Sequence, residues 1–296
     1  MEIKDVLVCL DPTDAGDVRL RLAVALAIEH RARLSASCVL PEIIPGAPPV
    51  RHAGVIGPPT EAAWLPQDLP TPRDAPPTAR DMAAGPELAA IIEQRFREEV
   101  QPHAIEGDWY LLGAGEEADL IALVGATDLI VCGQISPDYR APIGYRPEDI
   151  IVTGGRPVLV IPYAGVFTTV GRRVLVAWDG TREAVRALHD ALPLIAKAEA
   201  VTVLTVRSRE ASFERDTPAL HRVIRHLGRH GIAAQHEEAL RGDLPVAEVL
   251  LSRAADLDAD LIVVGAYHHS QFREALVGGV SRDLLDHMTV PLLMSH

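Results

Sequence analysis

The sequence predicts an α/β protein with two doubly wound, five-stranded parallel sheets, one in each half of the chain. Three observations lead to this prediction: apolar runs alternate with helical patterns, the same order of elements occurs twice, and aromatic residues are scarce. Runs that alternate in this way are typical of βαβ units. Aromatic residues make up 4% of the 296 residues, whereas 48% are hydrophobic. Aliphatic side chains must therefore fill the core, as in parallel sheets covered by helices.

The first strand and the first helix are predicted in both halves. An apolar run ends at Asp11 in the first half and at Asp179 in the second, and Thr13 and Thr181 follow two residues later. Apolar residues at three- and four-residue steps then predict a helix in each half. A second apolar run follows the helix at Leu34–Leu40 and at Val201–Val206.

The fourth and last strands also recur. The segments Asp128–Gly133 and Asp260–Gly265 are alike almost residue by residue, and each half closes with an apolar run that begins at Pro157 or Pro291. Landmarks that recur in the same order indicate a duplicated domain. Right-handed connections between parallel strands then give each half a doubly wound sheet.

The first copy is longer because it contains a Pro-rich insertion at about 41–85. Proline, glycine, alanine and threonine crowd there, and such a composition does not form a packed core of its own. A mobile excursion is favoured over a lid that covers a site. The predicted domains are residues 1–163, which include this insertion, and residues 171–296.

The charge of the chain bears on its partners. The formal net charge is −13, from 41 acidic and 28 basic residues, so long-range repulsion argues against nucleic acid and anionic membranes as partners. The first ten residues have the pattern of a strand rather than of a signal peptide, and a cytoplasmic location is expected. Cys9, Cys38 and Cys132 lie in strand-like runs and are expected to be buried, reduced thiols.

The residues best suited to bind a ligand follow the first and fourth strands. In an open parallel sheet, ligands bind beyond the carboxyl ends of the strands, where the strand order reverses. In the second half this edge carries Asp179, Gly265 and a turn at Gly278–Ser281 that opens a helix. Glycines and a hydroxyl at a helix start offer N–H groups to an anion such as phosphate. The alternative, in which these glycines only shape the turn, stays open.

These features resemble the universal stress protein family over nearly the whole chain, twice, outside the insertion. The resemblance rests on the aspartate that ends the first strand, the glycine that ends the fourth, the step from Gly265 to Gly278, and the final Val-Pro-Leu-Leu-Met strand. In nucleotide-binding members the loop reads Gly-x-x-Gly, nine residues, then Gly-Ser or Gly-Thr. Here His268 replaces the second glycine, Gly279 replaces the hydroxyl residue, and Ser281 matches a further hydroxyl.

The resemblance implies an adenine nucleotide alpha hydrolase-like, Rossmann-like fold and a non-catalytic stress-response protein. The resemblance implies that the protein requires no cofactor and that its ligand, an adenine nucleotide (ATP or AMP), binds in the second half. The implied contacts are Asp179 with the nucleoside, Val206 with the adenine, and Gly265, Gly278, Gly279 and Ser281 with the phosphates. In the first half Tyr145, Arg146 and Pro147 stand at the place of the second half's turn, so that site is predicted to be degenerate.

Two other functions stay open, namely a ligand-free protein-interaction module and a weak ATP hydrolase. No catalytic residue is predicted. A metal site has weak support, because His226 and His230 are four residues apart on a predicted helix but no acid or cysteine completes a ligand set.

The resemblance also implies how the two halves meet. Single-domain members of the family usually dimerise through their last strand, so the halves are expected to form an intramolecular pseudo-dimer in which the strands of Ile161 and Leu293 lie side by side. Such a pairing would cover two sheet edges that are otherwise open to water. A homodimer of the chain and protein partners of unknown identity are further expectations.

Overall fold

The computed structural model of the protein describes residues 2–39, 85–113, 116–136, 145–207, 217–266 and 279–296. Most of the insertion predicted at 41–85 lies outside these residues, as do His268 and Gly278.

The two halves have the same order of elements. The first half contains strands β1 (Asp5–Leu10), β2 (Arg33–Val39), β3 (Trp109–Leu112), β4 (Leu129–Gly133) and β5 (Val158–Ile161), and helices α1 (Asp14–His30), α2 (Gly85–Val100), α3 (Glu117–Gly125) and α4 (Pro147–Thr153). The second half contains strands β6 (Arg173–Ala177), β7 (Ala200–Arg207), β8 (Ala234–Leu240), β9 (Leu261–Gly265) and β10 (Leu292–Ser295), and helices α5 (Arg182–Ile195), α6 (Thr217–Arg229), α7 (Val246–Asp256) and α8 (Gly279–His287).

The strands form one continuous sheet in the order β3-β2-β1-β4-β5-β10-β9-β6-β7-β8. All strand pairs within a half are parallel, and in each half the first strand lies between the second and the fourth. The strand order therefore reverses beside β1 and beside β6. This arrangement confirms the doubly wound fold predicted for both halves.

The halves meet through their last strands. Strands β5 and β10 pair antiparallel, with Leu292 opposite Val160 and Leu293 opposite Leu159. The two five-stranded sheets thereby become one sheet, and neither last strand forms an open edge. The expected pseudo-dimer is confirmed.

Aliphatic side chains form the core on both faces of the sheet. One cluster packs under α1, α2, α5 and α6, and the other packs under α3, α4, α7 and α8. The three cysteines are buried and unpaired, as the sequence predicts. Burial raises the pKa of the Cys9 and Cys132 thiols, so both are poorly reactive at neutral pH.

A buried glutamine also joins the two halves. Gln134, which follows β4 directly, donates from Nε2 to the carbonyl oxygen of Leu285 at 2.8 Å and accepts at Oε1 from the backbone N–H of Tyr163 at 3.2 Å. Leu285 lies in the last turn of α8, where carbonyl groups have no partner within the helix. A side chain of the first half thus caps a helix of the second.

Candidate functional site

Asp179 lies in the turn between β6 and α5. Gly180, which follows it, has a φ of 79°, in the left-handed region that favours glycine. Thr181 then caps α5, because its hydroxyl accepts from the N–H of Ala184 at 3.2 Å. The turn brings the side chain of Asp179 to the carboxyl end of β6, at the point where the strand order reverses.

The carboxylate of Asp179 is anchored by one of its two oxygens. Thr181 donates to Oδ1 from its backbone N–H at 3.0 Å and from its hydroxyl at 2.6 Å. No hydrogen bond or ion pair to Oδ2 occurs within the described part of the chain, and the residue is exposed. Asp179 therefore offers an oriented carboxylate oxygen to the outside of the sheet edge.

Gly265 ends β9 directly beside the start of α5. A Cβ atom at this position would lie 2.5 Å from both the backbone nitrogen of Ala184 and the carbonyl carbon of Glu183. The first turn of α5 therefore lies directly on the end of β9, and only glycine allows this approach. The contact places Gly265 next to the turn that carries Asp179.

The remaining predicted residues lie at the same edge of the sheet. Gly279 is the first residue of α8, and Ser281 is buried in the first turn of that helix. Val206 is half-buried near the carboxyl end of β7 and packs on the face that α7 and α8 cover. Gly278 belongs to the predicted set but lies outside the described residues.

The first half has the same turn after its first strand. The backbone N–H of Thr13 donates to Oδ1 of Asp11 at 3.0 Å, the Thr13 hydroxyl donates to the same oxygen, and this hydroxyl caps α1 by accepting from the N–H of Gly16. The difference is at Oδ2, which pairs with Nη2 of Arg19 at 2.5 Å. Both oxygens of Asp11 are therefore engaged.

Arg19 fills the space at the end of β4. Its side chain is 2% exposed, and its Nη1 atom lies 1.7 Å from the position that a Cβ atom on Gly133 would take. The buried Tyr145 lies close by, with its hydroxyl 3.5 Å from the carbonyl oxygen of Cys9. Side chains of the protein itself thus occupy the crevice of the first half.

The buried groups of this crevice stabilise one another electrostatically. Burial alone would raise the pKa of Asp11, but the Arg19 charge and the hydrogen bonds from Thr13 and Arg19 outweigh it, so the pKa lies below its ordinary value. Burial likewise opposes the charge of Arg19, yet the Asp11 carboxylate raises the pKa of the guanidinium. Burial raises the pKa of Tyr145. Asp11 and Arg19 therefore form an ion pair at neutral pH.

The role of Arg19 is not apparent from the sequence of the first half alone. The helices α1 and α5 are capped by Thr13 and Thr181. Arg19 and Ala187 are each six residues after the cap, so they occupy equivalent positions in the two copies. When the two copies are aligned at these caps, one has an arginine where the other has an alanine. This difference is the sequence signal that would have identified Arg19.

Three histidines of the second half lie between two helices. The rings of His226 and His230 on α6 are 4.7 Å apart between centroids, and His189 on α5 is 5.1 Å from His226. Over the described ranges, no group of three or more His, Cys, Asp or Glu residues is arranged to hold a metal ion. Within those ranges there is also no helix that is long and apolar enough to span a bilayer.

The universal stress protein family model matches residues 171–296. No curated protein sequence matches the chain. The solved structure of a universal stress protein from Archaeoglobus fulgidus DSM 4304 aligns with a TM-score of 0.69 and 16% identity, over 99% of this chain and 96% of that chain. A Pseudomonas aeruginosa UCBPP-PA14 protein that carries the same family name aligns with a TM-score of 0.58 and 16% identity, over 99% and 93% of the two chains.

These two structures share the fold of the whole chain, including the half that the family model does not match. The matched residues include the turn of Asp179 and the end of β9. The resemblance inferred from the sequence is confirmed. Residues 171–296 match the universal stress protein family model, and the chain as a whole has the fold of the two solved universal stress protein structures.

Proposed function

We propose that this protein is a non-catalytic stress-response protein that binds an adenine nucleotide, ATP or AMP, in its second half. The observation that carries the proposal is the state of Asp179. Its carboxylate is oriented through Oδ1 by Thr181, while Oδ2 has no partner in the described residues and faces outward where the strand order reverses. Ligands of doubly wound sheets bind at this point.

The other residues of the proposed site supply complementary contacts. The Oδ2 atom of Asp179 accepts a hydrogen bond from a ribose hydroxyl or from the adenine amine. The N–H groups at the start of α8, near Gly279 and Ser281, offer donors and the positive end of the helix dipole to phosphate. Gly278 belongs to this turn, Gly265 allows close approach at the end of β9, and Val206 lines the adenine pocket.

The role of Thr181 argues against covalent catalysis at this site. Its hydroxyl hydrogen is donated to Asp179 and its oxygen accepts the capping N–H of Ala184. This hydroxyl is therefore committed to the turn and is a poor nucleophile, although a carboxylate lies beside it. A weak ATP hydrolase is the alternative, and release of inorganic phosphate from bound ATP would demonstrate it.

The experiment is a titration of ATP and AMP into the wild type, Asp179→Ala and Gly278→Val. A hydrogen bond to a charged group contributes roughly 1.5–3 kcal/mol, so each change should weaken binding by about tenfold to a hundredfold. The matched control is Asp11→Asn, which keeps a hydrogen-bonding side chain beside the buried Arg19 but removes its counter-ion; a variant that still melts cooperatively should bind like the wild type.

Two outcomes would contradict the proposal. Binding that persists in Asp179→Ala and Gly278→Val but disappears in Asp11→Asn would place the ligand in the first half. Absence of binding in the wild type would leave the ligand-free interaction module as the function.

A further inference from the structure

We infer that Arg19 is the residue that closes the first half to nucleosides, because it holds the carboxylate and fills the space that a nucleoside would need there. The inference rests on the proposed function in one respect: it takes the crevice between the first and fourth strands as the nucleoside site in this fold. It goes further by assigning the difference between the two halves to one position, Arg19 in α1 and Ala187 in α5.

The carboxylates of Asp11 and Asp179 differ in their hydrogen-bond partners. Asp11 and Asp179 follow equivalent strands and accept the same two hydrogen bonds from a threonine on Oδ1. They differ at Oδ2, which is paired with Arg19 in the first half and has no partner within the described residues of the second. A nucleoside hydroxyl or amine therefore finds an available acceptor at Asp179 but not at Asp11.

The two halves also differ in the side chain that lies at the end of the fourth strand. The Arg19 guanidinium lies against the end of β4, with Nη1 at 1.7 Å from the position of a Cβ atom on Gly133. In the second half, the nearest atoms to a Cβ position on the corresponding glycine, Gly265, belong to the first turn of α5, namely the backbone of Glu183 and Ala184 and the Cβ atom of Glu183. The residue that corresponds to Arg19 is Ala187, whose side chain ends at Cβ and is buried. At the position of Arg19, the second half therefore has a side chain too short to fill the corresponding space.

The ion pair of Arg19 and Asp11 is difficult for a ligand to separate. A nucleoside that displaced Arg19 from Asp11 would leave a buried guanidinium without its counter-ion, which is strongly unfavourable. The raised pKa of Arg19 also excludes release of the pair by deprotonation. Tyr145 is buried near the pair, and its hydroxyl lies 3.5 Å from the carbonyl oxygen of Cys9. The first half is therefore held in a ligand-free form by its own side chains.

The test uses adenosine as the probe. The first half has Pro147 at the start of α4, and proline has no N–H group to donate to a phosphate. A nucleoside without phosphate is therefore sufficient to detect the opened crevice. In an Asp179→Ala background, which removes the proposed second-half site, the chain should bind no adenosine. Adding Arg19→Ala should produce saturable adenosine binding at millimolar concentration or below, measured by calorimetry, and adding Asp11→Asn should abolish it. The control Arg19→Lys keeps a cation beside Asp11 and should produce no binding. An Arg19→Ala chain that melts cooperatively and binds no adenosine would overturn the inference.

A reciprocal variant decides the question if Arg19→Ala does not fold. Ala187→Arg in the otherwise unchanged chain should weaken ATP binding at least tenfold more than Ala187→Met, which adds similar length without charge. Equal effects of the two changes would overturn the inference. Failure of this inference can be distinguished from failure of the proposed function. Wild-type ATP binding tests the second half, whereas the gain of adenosine binding tests the first half.

Discussion

Two glycines of the proposed site differ in the room around them. At Gly265 a Cβ atom would lie 2.5 Å from backbone atoms of Glu183 and Ala184, whereas nothing among the described residues lies within 4 Å of the same position at Gly279. Gly265→Ala must therefore displace the first turn of α5, and overpacking of this kind costs about 1–3 kcal/mol. Gly279→Ala should leave stability unchanged or raise it by up to about 1 kcal/mol, because alanine favours helix. Denaturant unfolding of the two variants compares these costs, and an equal loss in both would contradict the close approach of α5 to β9.

The half-buried imidazole of His226 predicts a pH dependence of stability. Burial lowers the pKa of His226 from its ordinary value of 6.5, and the neighbouring His189, His230 and Arg229 lower it further. The unfolded chain therefore binds this proton more readily than the folded one, so the stabilising contribution is complete above the ordinary pKa and is lost as pH falls through the folded pKa.

His226→Gln should accordingly flatten the decline in unfolding free energy between about pH 7 and about pH 5. The control His287→Gln removes an exposed histidine on α8 and should keep the wild-type slope. Thermal melts at a series of pH values measure both. An unchanged slope in His226→Gln would show that this ring does not carry the effect.

Single residues were predictable where the signal is local. Asp179 and Gly265 end apolar runs that occur twice, so their position at the sheet edge follows from the sequence pattern. Arg19 is a different case, because a polar residue on the inner face of a helix does not reveal its partner. The pairing of Arg19 with Asp11 and its contact with Gly133 depend on how α1 packs on the sheet, and this is a property of the tertiary structure.

At the level of elements, the order of strands was predictable because parallel strands with helical connections have a preferred handedness. The antiparallel pairing of β5 with β10 was not derivable from the residues themselves, because apolar last strands pack equally well within separate domains. It was expected from the family resemblance alone. The structure adds the register, in which Leu159 lies opposite Leu293 and both are fully buried.

This register predicts coupling across the junction of the two halves. Leu159→Ala and Leu293→Ala should each cost about 2–5 kcal/mol, and the double variant should depart from additivity by about 0.5–3 kcal/mol because the side chains share one contact. The control cycle uses Val8→Ala and Val176→Ala, on β1 and β6, which are separated by four strands and should be additive within about 0.5 kcal/mol. Additivity at Leu159 and Leu293 as well would contradict the observed pairing.

At the level of the whole molecule, one fold is used in two ways. In the first half Arg19 pairs with the carboxylate of Asp11, while the second half keeps an exposed carboxylate at the equivalent point. The halves are also mechanically continuous, since the sheet runs through the junction and Gln134 caps α8 from the other side. The first half thereby supports the half proposed to bind the ligand.

The most direct test of this account is the number and location of adenine nucleotides that stay bound through purification. Acid extracts of the purified chain, separated by chromatography, should contain ATP or AMP, and no more than one nucleotide per chain. The nucleotide should be retained in Asp11→Asn and absent from Asp179→Ala. A nucleotide that is retained in Asp179→Ala and lost in Asp11→Asn would contradict the assignment of the site to the second half.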